Sequence, residues 1–111
     1  MPYSKVKPIT ILMADDDEDD RLLTQDALAE SRVLNELHFV EDGVELLEYL
    51  ERKGKFEDKA VSPRPGLILL DLNMPRMDGR EALEAIKGNP NLKGIPVVIL
   101  TTSKQEEDMV K

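Results

Sequence analysis

The chain has no cysteine, which excludes disulfides, thiol nucleophiles and zinc–thiolate sites. Its one histidine, His38, cannot build a histidine-rich metal site. No glycine-rich loop of the kind that cradles phosphates is present. No apolar run approaches the roughly 20 residues needed to span a membrane. The N-terminus, Met1-Pro2-Tyr3-Ser4-Lys5, has no apolar stretch of the signal-peptide type, so a cytoplasmic location is expected. Positive charge is also scarce: 15 Lys and Arg stand against 23 Asp and Glu, for a net charge of −8. That balance argues against nucleic acid as a direct partner, because phosphate binding needs clustered Lys and Arg. It argues equally against docking on an anionic membrane.

What remains is a soluble globular composition, 41% hydrophobic and 34% charged. At 111 residues one domain, covering 1–111, is the natural count. Ile9-Thr10-Ile11-Leu12-Met13-Ala14 reads as a first strand, apolar on both faces as in a parallel sheet covered on two sides. Asp17 suits a helix N-cap, with Glu18, Asp19 and Asp20 answering the unsatisfied N–H groups of the first turn. The helix is predicted to run to about Arg32 with Leu23, Ala27 and Leu28 inward. Leu37 to Val40 is a short second strand, closed by the turn Glu41-Asp42-Gly43. A second helix follows from about Val44 to Arg52, its face made by Leu46, Leu47 and Leu50, with Gly54 ending it. Residues 54–66 read as a long exposed loop. Leu67 to Leu70 is a third strand closing on Asp71, and a turn-rich segment leads to a third helix over about Arg80 to Lys87, with Ala82, Leu83 and Ile86 inward. Val97 to Leu100 is a fourth strand, and 104–111 open a fourth helix. Strict alternation of strand and helix implies an α/β fold, a doubly wound parallel sheet with helices on both faces.

Two acidic positions then belong together. Asp15-Asp16-Asp17 follow the first strand and Asp71 ends the third. In an open parallel sheet both places lie at the carboxyl edge, where ligands bind. Several carboxylates meeting there repel one another and call for a cation. Oxygen donors of this kind suit Mg²⁺, at about 2.1 Å in octahedral geometry. A carboxylate beside that ion can attack phosphorus and carry a phosphoryl group. Thr101, at the end of the fourth strand, can donate a hydrogen bond to a phosphoryl oxygen there. The plainer alternative is that strand-end carboxylates simply cap the following helices, and for Asp17 and Asp20 capping is the expected role. His38 is expected to be a packed or partly exposed neutral side chain. The alternation Asp15, Asp17, Asp19 imitates a calcium loop, but Asp20 stands where that loop needs glycine and Asp26 where it needs glutamate.

Three segments, in order, resemble the receiver domains of two-component response regulators. They are Ile11 to Arg21 with its acidic run, Asp71-Leu72-Asn73-Met74-Pro75-Arg76-Met77-Asp78-Gly79, and Ile95 to Ser103. The long loop before the third strand and Thr101-Thr102-Ser103 are similar to the single-domain regulators associated with bacterial phytochromes. The resemblance implies a flavodoxin-like receiver fold with strand order 2-1-3-4. It implies that Asp71 accepts phosphate from a sensor histidine kinase or phosphotransfer protein, with a bacterial phytochrome as one such donor. Asp16, Asp71 and the backbone carbonyl of Asn73 are implied as Mg²⁺ ligands, Asp15 acts partly through water, and Thr101 bonds the phosphoryl oxygen. Such a protein is a regulator rather than an enzyme, catalysing at most its own phosphorylation and dephosphorylation.

A receiver has five strands and five helices, and this chain stops early in the fourth helix, so the domain is expected to be incomplete at its C-terminus. The family's later lysine and its usual output face have no match here. Two expectations follow. The fourth strand becomes a sheet edge open to a second copy of the chain, so that either a homodimer through this edge or marginal stability is expected. As an alternative to a working phosphoacceptor, the chain is a receiver-like binding or dimerisation module that no longer switches. A phosphatase with an aspartate nucleophile is a poorer fit, since such enzymes carry a second acid two residues on, where this chain has Asn73.

Overall fold

The apolar runs at Ile9–Ala14, Leu67–Asp71 and Val97–Leu100 form β1, β3 and β4 of a single parallel sheet, and Asn35–Val40 forms β2. A computed structural model describes residues 9–31, 35–72, 74 and 76–100. The strand order is β2-β1-β3-β4. Chain order reverses at β1, which lies between β2 and β3, and the carboxyl edge beside such a reversal is the place where α/β sheets bind ligands. Leu12 pairs with His38 on one side and Ile68 on the other, and Asp71 stands opposite Leu100 in the β3–β4 register.

The helices α1 (Glu18–Glu30), α2 (Gly43–Glu51) and α3 (Gly79–Lys87) connect the strands. The main core lies between the sheet and α2 and α3. It joins Leu12, Ala14, Val40, Ile68 and Leu70 of the strands to Leu46 and Leu50 of α2 and Ala82 and Ile86 of α3. Ile11 and Met13 alternate with Leu12 and Ala14 and are buried on the opposite side, so β1 is covered on both faces. Among the described residues no helix is long and apolar enough to cross a membrane.

Several boundaries and faces differ from expectation. Helix α1 ends at Glu30 and buries no residue completely. Its half-buried stripe is Asp20, Arg21, Thr24 and Leu28, whereas Leu23 is 67% exposed and Ala27 is exposed. The Asp17 carboxylate caps the N–H groups of Asp19 and Asp20, and the Arg21 Nε–H reaches back to the carbonyl of Asp15 at 2.8 Å. Those ties orient the helix with Arg21 rather than Leu23 toward the sheet. Helix α2 also turns Tyr49 inward, 2% exposed. It ends at Glu51, and the capping residue Arg52 takes the left-handed conformation at φ 54° and allows the Lys53 N–H to close onto the Glu48 carbonyl. Gly54 instead opens a short 3-10 turn, Gly54–Phe56.

The 54–66 connection is not simply an exposed loop. The Tyr49 hydroxyl donates to the Pro63 carbonyl at 2.7 Å, and the buried Ser62 hydroxyl lies 2.8 Å from the Phe56 carbonyl and 3.0 Å from that of Asp58. The Gly66 N–H then joins the Thr10 carbonyl and leads the chain into β3. His38 is half-buried, its ring edge-on to Tyr49 at 6.1 Å. The expected fourth helix at 104–111 lies outside the described residues.

Candidate metal centre

Parallel β1 and β3 end side by side, and a carboxylate stands at the end of each, Asp15 just past β1 and Asp71 closing β3. Asp15 is the first residue past β1, and its N–H donates to the Val40 carbonyl at 3.0 Å, continuing the ladder with β2. Its Oδ1 accepts from the Asp17 N–H at 2.9 Å. Asp71 is the last residue of β3. Both are buried, 1% and 2% exposed, while Asp16 is exposed at the rim. One carboxylate oxygen from each of Asp15, Asp16 and Asp71 lies within 4.8 Å of the other two.

The donor set decides what this cluster can hold. Three carboxylates offer only hard oxygen ligands, and there is no sulfur and no imidazole among them, which suits Mg²⁺ or Mn²⁺ rather than a soft metal. The rim position of Asp16 leaves the cluster open on one side, as is needed for a reacting group to reach it. Burial pushes the Asp15 carboxyl up to about 7; the Asp17 N–H opposes that rise, and the negative charges of Asp71, Asp20 and Asp16 reinforce it. A cation placed among the three would reverse that penalty.

The structure thus brings Asp15, Asp16 and Asp71 together. Asn73 and Thr101, the other two predicted site residues, lie outside the described residues. Asp17, as expected, serves as an N-cap.

Other residues of this edge were not singled out from the sequence. The Arg21 side chain bonds the Asp15 carbonyl and lies over the Phe39 ring at 5.7 Å, so it steadies the β1–α1 turn. Asp42 is 6% exposed, caps the Glu45 N–H at 2.8 Å, and accepts from Arg76 Nε at 2.8 Å. Burial raises its carboxyl, but the Arg76 guanidinium and the Glu45 N–H outweigh that and hold it below the usual range. A legible signal existed: Asp42-Gly43-Val44-Glu45 and Asp78-Gly79-Arg80-Glu81 repeat one helix-start pattern, acid at the cap and glutamate three residues later. Asp78 caps the Glu81 N–H at 3.0 Å in the same way.

Residues 11–111 match the response regulator receiver domain. The chain belongs to that family. It is similar to the response regulator Rcp1 of Synechocystis sp., at 48% identity over 103 residues, spanning 93% of this chain and 68% of that protein. Among solved structures it is similar to the phosphorylated cyanobacterial phytochrome response regulator RcpA, at 47% identity and a TM-score of 0.78, covering 93% of this chain and 71% of that one. It is equally similar to the Mn²⁺-bound form of Rcp1, at 48% identity and a TM-score of 0.80, covering 93% and 72%. The sheet order found here is that of the receiver fold. A receiver domain is the phosphoacceptor of two-component signalling, and that is the role of this chain.

Proposed function

We propose that Asp71 is the phosphoacceptor of this receiver domain and that its cation is Mg²⁺. The observation that carries the reading is the meeting of Asp16 and Asp71, from the ends of two different strands, around the buried Asp15. Asp16, Asp71 and the Asn73 backbone carbonyl would hold the ion, with Asp15 acting partly through water. Once bound, Mg²⁺ neutralises charge on the transferring phosphoryl group. The Mn²⁺-bound form of Rcp1 supports a divalent cation in the same fold.

The work of the chain itself is placement. A carboxylate oxygen of Asp71 forms the new O–P bond as the N–P bond of a donor phosphohistidine breaks, and the imidazole leaves and takes up a proton. Thr101 donates its hydroxyl to a phosphoryl oxygen. The edge position of Asp71, beside exposed Asp16, lets the donor approach from solvent. The product is an acyl phosphate on the regulator, so the chain carries the group instead of turning over a free substrate, and at most it promotes its own phosphorylation and dephosphorylation.

The donor is a sensor histidine kinase or phosphotransfer protein. Likeness to the cyanobacterial phytochrome response regulator RcpA supports a phytochrome as that donor, and the location proposed for the pair is the cytoplasm. A second copy pairing along β4 belongs to the same proposal, since β4 ends the described sheet with Val98 46% and Ile99 37% exposed.

The deciding experiment is labelling with a small acyl phosphate donor in Mg²⁺, read by intact mass. One phosphoryl group should appear on the unmutated chain and none on Asp71→Asn. Equal labelling of the two would remove Asp71 from the acceptor role.

A further inference from the structure

The connection from β3 to α3 leaves directly from Asp71, and the structure pins it at several points. The Gly79 N–H donates to the Leu72 carbonyl at 3.1 Å, which draws the far end of the connection back to its start. Contact there is close: a Cβ on Gly79 would fall 2.5 Å from the Asp71 carbonyl oxygen. Met74 is buried in the main core and Met77 packs against it. The remaining ties go to the start of α2. The Gly43 N–H donates to the Met77 carbonyl at 3.0 Å, and a Cβ on Gly43 would collide with that same oxygen. Beside it, Arg76 Nε donates to the buried Asp42 Oδ2 at 2.8 Å. Arg76 adopts φ 63°, a left-handed conformation that non-glycine residues keep only where their surroundings enforce it. Its side chain is 58% exposed, and the contacts that hold this stretch are the Asp42 carboxylate on Arg76 itself and the Met77–Gly43 bond beside it.

We propose that Asp42 and Arg76 are a positioning pair for the acceptor: the ion pair ties the start of α2 to the connection leaving Asp71 and so sets the geometry in which Asp71 meets the cation and the phosphoryl donor. This rests on Asp71 and Mg²⁺ acting as set out above. Neither residue belongs to the metal cluster, so the pair acts through the backbone it holds. The Asp42 carboxylate divides its oxygens between two tasks: Oδ1 caps α2 through the Glu45 N–H, and Oδ2 receives Arg76. One side chain therefore couples the helix end to the loop.

The test separates those tasks. Asp42→Asn keeps a capping oxygen and removes the charge, and Arg76→Asn keeps a residue tolerant of positive φ and removes the cation. Each variant, and the double variant, is melted to set a temperature at which all are folded. Two quantities are then read: the rate of labelling by a small acyl phosphate at saturating Mg²⁺, and the Mg²⁺ concentration that gives half of the melting-point rise. Groups that orient a metal site from outside its ligands commonly contribute about tenfold to affinity or rate. Each single variant should lose about that factor in labelling rate and bind Mg²⁺ more weakly, and the double variant should lose no more than either single one. Labelling rates and Mg²⁺ midpoints that match the unmutated chain, with only the melting temperature lowered, would reduce the pair to a structural tie and overturn the proposal. So would losses that multiply in the double variant, since the two residues would then act separately. An unmutated chain that takes no label would refute the acceptor reading alone, with the Mg²⁺ midpoints still deciding the fate of the pair.

Discussion

At the scale of single residues the site is set by how each carboxylate is housed. Asp15 is buried with Asp71 close by, and its carboxyl is raised from 3.8 to about 7, chiefly by burial. The unfolded chain therefore releases this proton well before the folded one does. Between pH 3.8 and about 7 the folded state binds more protons than the unfolded state, so this group makes the metal-free chain less stable as pH rises through that window. The slope is up to about 1.4 kcal/mol per pH unit and levels off on either side. Asp42 contributes the opposite sign, because its carboxyl is held low and its stabilisation is lost as pH falls below the ordinary carboxylate range. The difference between the unmutated chain and Asp15→Asn isolates the first effect. Asparagine keeps an acceptor for the Asp17 N–H and cannot ionise. Urea unfolding in a chelating buffer should show the variant gaining on the unmutated chain as pH rises from 4 toward about 7. A difference that stays flat over that range would mean that Asp15 titrates normally.

At the scale of elements, apolar residues do not count equally. Leu46 of α2 is wholly buried in the main core, and Leu23 of α1 is 67% exposed. Leu46→Ala should cost about 2–5 kcal/mol, as for other buried leucines, while Leu23→Ala should fall within about 0.5 kcal/mol of zero. Denaturant midpoints at equal slope measure both, and a comparable loss at Leu23 would show that α1 is buried in solution. The contrast also marks where the sequence was readable. The apolar face of α2 was legible because Leu46, Leu47 and Leu50 share one helical stripe, although Tyr49, held by its bond to Pro63, was missed. In α1 leucines occur on more than one side, so periodicity could not say which faced the sheet; the Asp17 cap and the Arg21 bond to Asp15 decided it. Strands β1 and β4 fell where their apolar runs end, because those runs are bounded by charge, proline or polar residues. The folding of 54–66 onto Tyr49 was not legible, since it depends on backbone carbonyls that local composition does not reveal.

At the scale of the whole molecule the site is a seam between segments far apart in the chain. Asp15 and Asp16 were legible as partners of Asp71 because topology alone brings the ends of β1 and β3 to one edge. The Asp42–Arg76 pair was not, because it joins two loops 34 residues apart through one side chain each. A seam of carboxylates has a global consequence. Without a cation the folded state alone carries their mutual repulsion, and a cation that needs all three can bind only the folded state. Mg²⁺ at one hundred times its dissociation constant should then add about 2.7 kcal/mol, which for a domain of this size moves the melting midpoint by roughly 10 °C. Asp16→Ala is the cleanest counterpart, since Asp16 is exposed and its loss leaves the core untouched. Melting followed by circular dichroism with Mg²⁺ against chelator should show the full rise in the unmutated chain and little of it in the variant. Equal rises in both would mean that Mg²⁺ binds elsewhere on this acidic surface, and no rise in either would mean that the three carboxylates do not form a cation site.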